Sequence, residues 1–310
     1  MFLSLLLFQK TTIKGRPMTI KNIINFLLSM TLVFSPFTFA TDVECTDAYD
    51  LQSCMDEVSD SGGGTITLSG KSYYLTDSLV LKDDVNIVGQ GFSSVITWDS
   101  SISETIDAPL LFAESVNNIS LENLKLRCNI DQSASSEDFR NDHMGLFLDG
   151  EGSPELGEDA DNNNINLETI EVAYCSHGIH IKGAEGITAN NLKLHDNGNT
   201  ETDLFHNIYF RRVADVTMTQ DDSTASNVGF YDSPRGHGIR MSHMKDIYYE
   251  NLHVFSNADH GIHMSDGIEN ARFSGLVVEG NCDNSSGSCS DIKCYGTETE
   301  CDIDYDANKE

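Results

Sequence analysis

The chain has 310 residues, 19 of them basic and 49 acidic, and a formal net charge of −30. Residues 1–40 hold four of the basic side chains and no acidic one, so the rest of the chain is formally −34. Such a surface repels phosphate polymers and anionic membranes, which excludes nucleic acid as the expected partner; an anionic polysaccharide is not excluded, because a local cationic strip is enough to hold one.

Residues 18–40 read as a secretory signal. Met18 and Lys21 open it, an apolar run extends from Ile23 to Phe34, and Thr38-Phe39-Ala40 supplies small residues for cleavage. Residues 1–17 read as an upstream extension of that signal. The run is short for a membrane span. A secreted or periplasmic protein with no span after cleavage is expected, and a monomer.

All eight cysteines follow the signal: Cys45, Cys54, Cys128, Cys175, Cys282, Cys289, Cys294 and Cys301. An even count in an exported chain predicts disulfides. Proximity favours Cys45–Cys54, Cys282–Cys289 and Cys294–Cys301, and Cys128 pairs with Cys175 if the fold brings them together. Zinc at the C-terminal four is the competing reading, disfavoured because no histidine lies near them in sequence.

Residues 45–58 have the apolar spacing of a short amphipathic helix. Short apolar segments follow at 65–68, 73–75, 79–81, 85–88, 95–97, 110–112, 119–121 and 124–126, separated by turns rich in Gly, Asn, Asp and Ser. Four times in the second half one phrase recurs: His177-Gly178-Ile179-His180-Ile181, His206-Asn207-Ile208-Tyr209-Phe210, His237-Gly238-Ile239-Arg240-Met241 and His260-Gly261-Ile262-His263-Met264. Two further apolar segments follow most of these phrases, giving three short strands in a turn of roughly 23 residues, the period of a stacked coil. The predicted fold is all-β: a single-stranded right-handed parallel β-helix over 41–281, with a short N-terminal capping helix and a cysteine-rich C-terminal tail or cap at 282–310. Asn190, Asn191 and Asn251 fall at turns where stacked asparagines bond to one another. Long insertions at 129–145, 149–164, 195–205 and 219–236 are expected to build the binding cleft.

Alternate strand residues face opposite ways. With the two apolar residues of each phrase inward, His180, Tyr209, Arg240 and His263 form one outward column, and Lys182, Arg211, Ser242 and Ser265 form the next. The leading histidines His177, His206, His237 and His260 share the inward parity and read as a structural ladder at a coil corner, with His237 also a candidate contact. His143, His195, His243 and His253 read as surface.

Residues 51–97, with Gly62-Gly63-Gly64-Thr65-Ile66, Leu79-Val80-Leu81 and Val85-Asn86-Ile87-Val88-Gly89-Gln90-Gly91, resemble the N-terminal coils of the pectate-lyase-like superfamily. That group includes polysaccharide lyases, mannuronan epimerases and polygalacturonases. The resemblance implies a β-helix acting on a polysaccharide, often a uronate-rich one. Of the polygalacturonase signature, Asp221-Asp222, Gly236-His237-Gly238 and Asn199-Thr200 before Asp203 are present, at altered spacing. The Asp-Pro-His of mannuronan epimerases and the paired motifs of chondroitinase-B-like lyases are absent.

Cleaving a uronate polymer by β-elimination needs a group to neutralise the C6 carboxylate, a base for the C5 proton and an acid for the departing O4; C5-epimerisation shares the first two. Arginine suits the carboxylate, and histidine and tyrosine suit the proton transfers. The expected catalytic residues are Arg240 as neutraliser, Tyr209 as acid or base, and His180 and His263 as flanking proton-transfer or neutralising groups. Lys182, Arg211, Arg235 and His237 are the expected substrate contacts. The alternatives are a hydrolase using carboxylates among Asp203, Asp222, Asp259 and Asp266, and a non-catalytic carbohydrate-binding surface protein. Calcium is the candidate cofactor; the acidic run 149–161 lacks the spacing of a known calcium loop and reads as a solvated loop.

Overall fold

In a computed structural model, the described residues are 40–102, 106–134, 142–221, 229–282, 289–295 and 301–306, the last by backbone alone. The signal reading, Asp222 and the side chain of Cys301 lie outside them. Among the described residues, twenty strands join one continuous parallel sheet that winds around a continuous main core. This is the parallel β-helix that the repeated phrase predicts.

Each full coil has three faces. The first face stacks the phrase strands: Leu79–Val80, Leu111–Ala113, Leu146–Asp149, then 179–182, 208–211, 239–242, 262–265 and Ile292–Tyr295. The second face stacks rungs such as 184–190, 213–219 and 244–250. The third stacks Lys193–His195, Gly229–Tyr231, His253–Phe255 and Val277–Glu279. Strands Ile292–Tyr295 and Cys301–Asp306 add rungs on 262–274, so stacking continues beyond residue 281.

Sequence explains the corners. Asn118, Asn164, Asp215, Asp246 and Asn270 all take left-handed backbone with φ from 52 to 57°. Asparagine and aspartate tolerate that region best among residues with a side chain. Stacked on one another they also bond, Asn164 Nδ2 to Asn118 Oδ1 at 2.9 Å and Asn270 Nδ2 to Asp246 Oδ1 at 2.8 Å. Gly178 is required for a different reason: a Cβ there would lie 2.4 Å from the carbonyl oxygen of Asn207 on the next coil.

The N-terminal helix, α1, spans Leu51–Asp60 rather than 45–58, and the strand Thr41–Cys45 precedes it. Its buried face is Leu51, Met55 and Val58. Cys45 and Cys54 form a disulfide across this junction. Cys128–Cys175 and Cys282–Cys289 are also bonded, and none of the described cysteines is free. Cys294 is disulfide-bonded too.

Three of the four long insertions border the first face. Residues 129–145 and 195–205 lead into phrase strands, and 149–164 leaves one. The fourth divides: 220–228 joins the second and third faces, while 232–238 again leads into a phrase strand.

Candidate active site

The first face places four sequence-distant residues in strict register. His180 pairs with Tyr209, Tyr209 with Arg240, and Arg240 with His263. Their strand neighbours Ile179, Ile181, Ile208, Phe210, Ile239, Met241, Ile262 and Met264 are fully buried. The ring of His180 stacks on Tyr209 with centroids 4.7 Å apart. Arg240 Nη1 lies against both ring nitrogens of His263, closest to Nδ1 and 2.9 Å from Nε2, and Nη2 donates to Ser265 Oγ at 3.1 Å.

The column is longer than the phrase reveals. Below His180 it continues through Phe147 to Phe112 and Val80, and above His263 to Lys293. Phe147 stacks on His180 at 4.9 Å. These rungs lack the His-Gly opening of the phrase. Their signal was the apolar trio alone, in Leu111-Phe112-Ala113 and Leu146-Phe147-Leu148.

The leading histidines form the expected ladder. The backbone N–H of His206 donates to His177 Nδ1 at 3.2 Å, and that of His237 donates to His206 Nδ1 at 3.1 Å. His206 and His237 stack with an interplanar angle of 9°. His260 instead turns to the C-terminal segment, accepting from the backbone N–H of Ser290 at 3.0 Å. His237 is also tied to the outward column, its Nε2 lying 2.6 Å from Nδ1 of His263.

Burial governs the charge state. His177 and His206 are held well below the usual imidazole range, chiefly by desolvation and then by neighbouring imidazoles. His237 falls to about 2, through burial, then His263 and Arg240. His180 falls to about 3, through burial, then Lys182 and Arg211. His263 also falls to about 3, through burial and then the adjacent guanidinium of Arg240. The site therefore presents neutral imidazoles beside a permanent cation. Among the described residues, His180 has no hydrogen-bond partner on either ring nitrogen.

No family model and no curated protein matches the chain. Solved structures similar to it include the A-modules of two Azotobacter vinelandii mannuronan C-5 epimerases, AlgE6 and AlgE4. They are 16% and 18% identical, with TM-scores of 0.42 and 0.41; the match covers 76% of this chain in each case, and 72% and 74% of theirs. Another is a DFA-IIIase variant from Arthrobacter chlorophenolicus A6 in complex with DFA-III, 10% identical, covering 76% of this chain and 68% of its own, TM-score 0.42.

The expected substrate contacts differ in availability. Arg211 is exposed and has no ion-pair partner among the described residues. Arg235 is exposed and bonds only weakly, at 3.4 Å, to the carbonyl of Thr200. Lys182 is committed: its ammonium lies 2.7 Å from both Asp149 and Glu151. Arg212 anchors the same insertion, donating to the Glu151 and Gly150 carbonyls at 3.0 and 3.2 Å. Asp161 Oδ2 accepts from the N–H groups of Glu151 and Gly152. These carboxylates accept from cations and backbone N–H groups.

Three histidines read as surface are not. His143 and His253 are buried. His195 is half-buried, with Nδ1 2.6 Å from Asp196 and Nε2 3.3 Å from Glu171, and its pKa is raised by those carboxylates against the opposing effect of burial. Glu171 also holds Lys125 and Lys193. All lie on the third face, so this network is structural. His243 is exposed as expected.

Among the described residues, one group of three metal-ligating side chains converges: His260, Cys282 and Cys289. The fold brings His260 to cysteines from which it is distant in sequence, with Nδ1 3.4 Å from Cys289 Sγ. Both sulfurs are consumed in the Cys282–Cys289 disulfide, so neither is a thiolate ligand.

Proposed function

We propose that this chain is an exported carbohydrate-active enzyme that binds an acidic, uronate-containing polysaccharide along the first face and cleaves it by β-elimination. The observation that carries the reading is the register pair Tyr209–Arg240, flanked by the imidazoles of His180 and His263. In a chain this acidic, a guanidinium beside a phenol and two uncharged imidazoles is suited to one kind of substrate charge. The disulfides support an oxidising compartment.

Arg240 takes the C6 carboxylate and stabilises the charge that develops on it as C5 is deprotonated. A neutral imidazole accepts the C5 proton. The electron pair moves to C4–C5, the C4–O4 bond breaks, and the phenol of Tyr209 protonates O4. Burial first, then neighbouring cations, keeps His180 and His263 uncharged in the free protein, so each ring has a lone pair for a proton but no charge with which to neutralise a carboxylate. C5-epimerisation uses the same first step and returns a proton to the opposite face.

One observation favours hydrolysis as a second reading. Asp259 has a raised pKa, from burial first, and a carboxyl that holds its proton more tightly suits the general acid of hydrolytic cleavage.

The test is a screen of the purified protein on alginate, pectate, hyaluronan and chondroitin, with and without calcium. Elimination produces an ultraviolet-absorbing unsaturated uronate that Tyr209→Phe and Arg240→Ala abolish. Release of reducing ends without that absorbance sinks elimination and selects hydrolysis. Proton exchange at C5 without chain cleavage selects epimerisation. No change in any polymer removes the enzymatic reading for these substrates.

A further inference from the structure

We infer that Lys293 and Tyr295, on the C-terminal rung of the first face, form a subsite for a second carboxylate-bearing sugar of the same acidic chain, two units away from the sugar at Arg240. This deepens the proposed function and rests on the outward column being where that chain lies.

Register places the two cations. Arg240 pairs with His263, and His263 pairs with Lys293. On the strand Ile292–Tyr295, Ile292 and Cys294 pack against the core, so alternation turns Lys293 and Tyr295 outward. Arg240 and Lys293 therefore stand two rungs apart on one column, roughly 10 Å along its axis. Between them lies His263, kept uncharged by burial first and then by Arg240, His260 and Lys293.

These cations are also free to bind. Lys125, Lys182, Lys193 and Arg212 are held by carboxylates, whereas among the described residues neither Arg240 nor Lys293 is in an ion pair. Beside Lys293, the ring of Tyr295 is 53% exposed. It lies 4.8 Å from the ring of His263 and 5.1 Å from Lys293 Nζ. A tyrosine left in solvent next to a lysine gives a sugar an apolar wall for its C–H face and a hydroxyl at the edge. The rung itself is fastened. Cys294, between the two side chains, is disulfide-bonded, Cys282 is bonded to Cys289 just before it, and the backbone N–H of Ser290 donates to His260 Nδ1 at 3.0 Å. Groups on an anchored strand lose less freedom on binding than groups on a loose tail.

The spacing selects the ligand. An extended pyranose chain in a two-fold form advances by about one rung per sugar and turns over at each step. Carboxylates on one side of it recur at every second sugar, and so at every second rung. With one carboxylate at Arg240, the next on that side falls at Lys293, and the sugar between them passes over the neutral ring of His263. The direction follows from the lower rungs, since below His180 the column presents Phe147, Phe112 and Val80 and no cation. A uronate homopolymer and a chain in which uronate alternates with an uncharged sugar both offer this same-side spacing.

The experiment is calorimetric titration with disaccharides and tetrasaccharides, two from uronate homopolymers (alginate and pectate) and two from alternating chains (hyaluronan and chondroitin). It is run in the Tyr209→Phe background, so that no chain is cut during the titration. At least one tetrasaccharide is expected to bind a few-fold tighter than its disaccharide, with the gain shrinking at high salt. Lys293→Gln should remove that gain, Tyr295→Ala should reduce it, and Lys293→Arg should keep it. The family of oligosaccharide that shows the gain identifies the kind of chain. A gain that survives Lys293→Gln, or no gain in any series, overturns the inference. If Arg240→Ala weakens tetrasaccharide binding while Lys293→Gln does not, the column remains the site and the subsite falls. If the gain depends on Lys293 but the wild type neither cleaves nor epimerises any of the polymers, the enzymatic reading fails and the subsite stands.

Discussion

The backbone N–H of His206 donates to Nδ1 of His177, one coil below, at 3.2 Å inside a buried corner. A nitrogen that accepts this bond cannot carry a proton, so protonation of His177 must break the ladder. His206 stands in the same relation to His237.

Acid should therefore unfold the protein early. A histidine whose folded pKa is depressed binds its proton more readily in the unfolded chain, so its burial is tolerated fully above the unfolded value of ~6.5 and opposes folding increasingly below it. His237, at about 2, and His180, at about 3, each withdraw about 1.4 kcal/mol per pH unit in that window. His195 runs the other way, since its raised pKa favours folding below neutrality, but it is one group against several. Scanning fluorimetry should show a Tm that is flat above pH 7 and falls steeply between pH 6.5 and 4.5. A Tm unchanged down to pH 5 would contradict the neutral ladder.

A second ladder lies beside the first, and its loss should be costly. Asn197 donates to Asn207, Asn207 to Asn257, Asn257 to Asn281, and Asn281 to Asp291, each at 2.9 or 3.0 Å. Asn257 also donates to the carbonyl of Phe230 and accepts from the N–H of Ser233. Replacing it by leucine leaves several buried groups unpaired, at about 1–3 kcal/mol each. Asn257→Leu should lower Tm by more than 5 °C, on the order expected for that loss, whereas exposed Arg235→Ala should leave Tm within a degree or so.

The two ladders show where reading the sequence stopped. The phrase made the outward column legible, because an apolar-variable-apolar trio aligns itself once its period is seen. The buried asparagines carry a fainter signal: His195-Asp196-Asn197, Phe255-Ser256-Asn257 and Glu279-Gly280-Asn281 each place an asparagine two residues past a third-face strand. Their shared position emerges only when the third face is counted separately. The burial of His143 was hidden because no repeat contains it, and that of His253 because it falls between the apolar Leu252 and Val254 of a third-face segment, where alternation reads it as outward. The proximity of His260 to Cys289 is purely tertiary, made by stacking residues 290–295 on the last phrase strand.

Glu151 should act as a brake on substrate binding. Its carboxylate, about four-fifths exposed, occupies the ammonium of Lys182 and faces Arg212 at 3.5 Å. Glu151→Gln leaves Lys182 with Asp149 alone and removes one negative charge from the rim of the column. Exposed pairs of this kind are weak and solvent-screened, so KM for an anionic polymer should fall only a few-fold with kcat unchanged. The gain should disappear at high salt. Steady-state kinetics at two ionic strengths checks this, and a KM that rises in the variant would place Glu151 among the groups that help bind substrate.

Arg240 should not be replaceable by lysine. Its guanidinium bonds the His263 ring with one nitrogen and Ser265 Oγ with the other, a fork held in one orientation on the first face. A carboxylate drawn onto that fork is met by two parallel donors and fixed in the plane where its negative charge develops. An ammonium keeps the charge but has no fixed fork, and it is more strongly hydrated. Arg240→Lys should therefore retain part of the affinity for an acidic polymer and lose roughly 10²-fold or more in kcat, in line with removal of a preorganised donor. Measuring kcat and Kd separately distinguishes the cases: a variant that binds normally and turns over normally would show that Arg240 supplies only charge, and would move the carboxylate-binding role to Arg211.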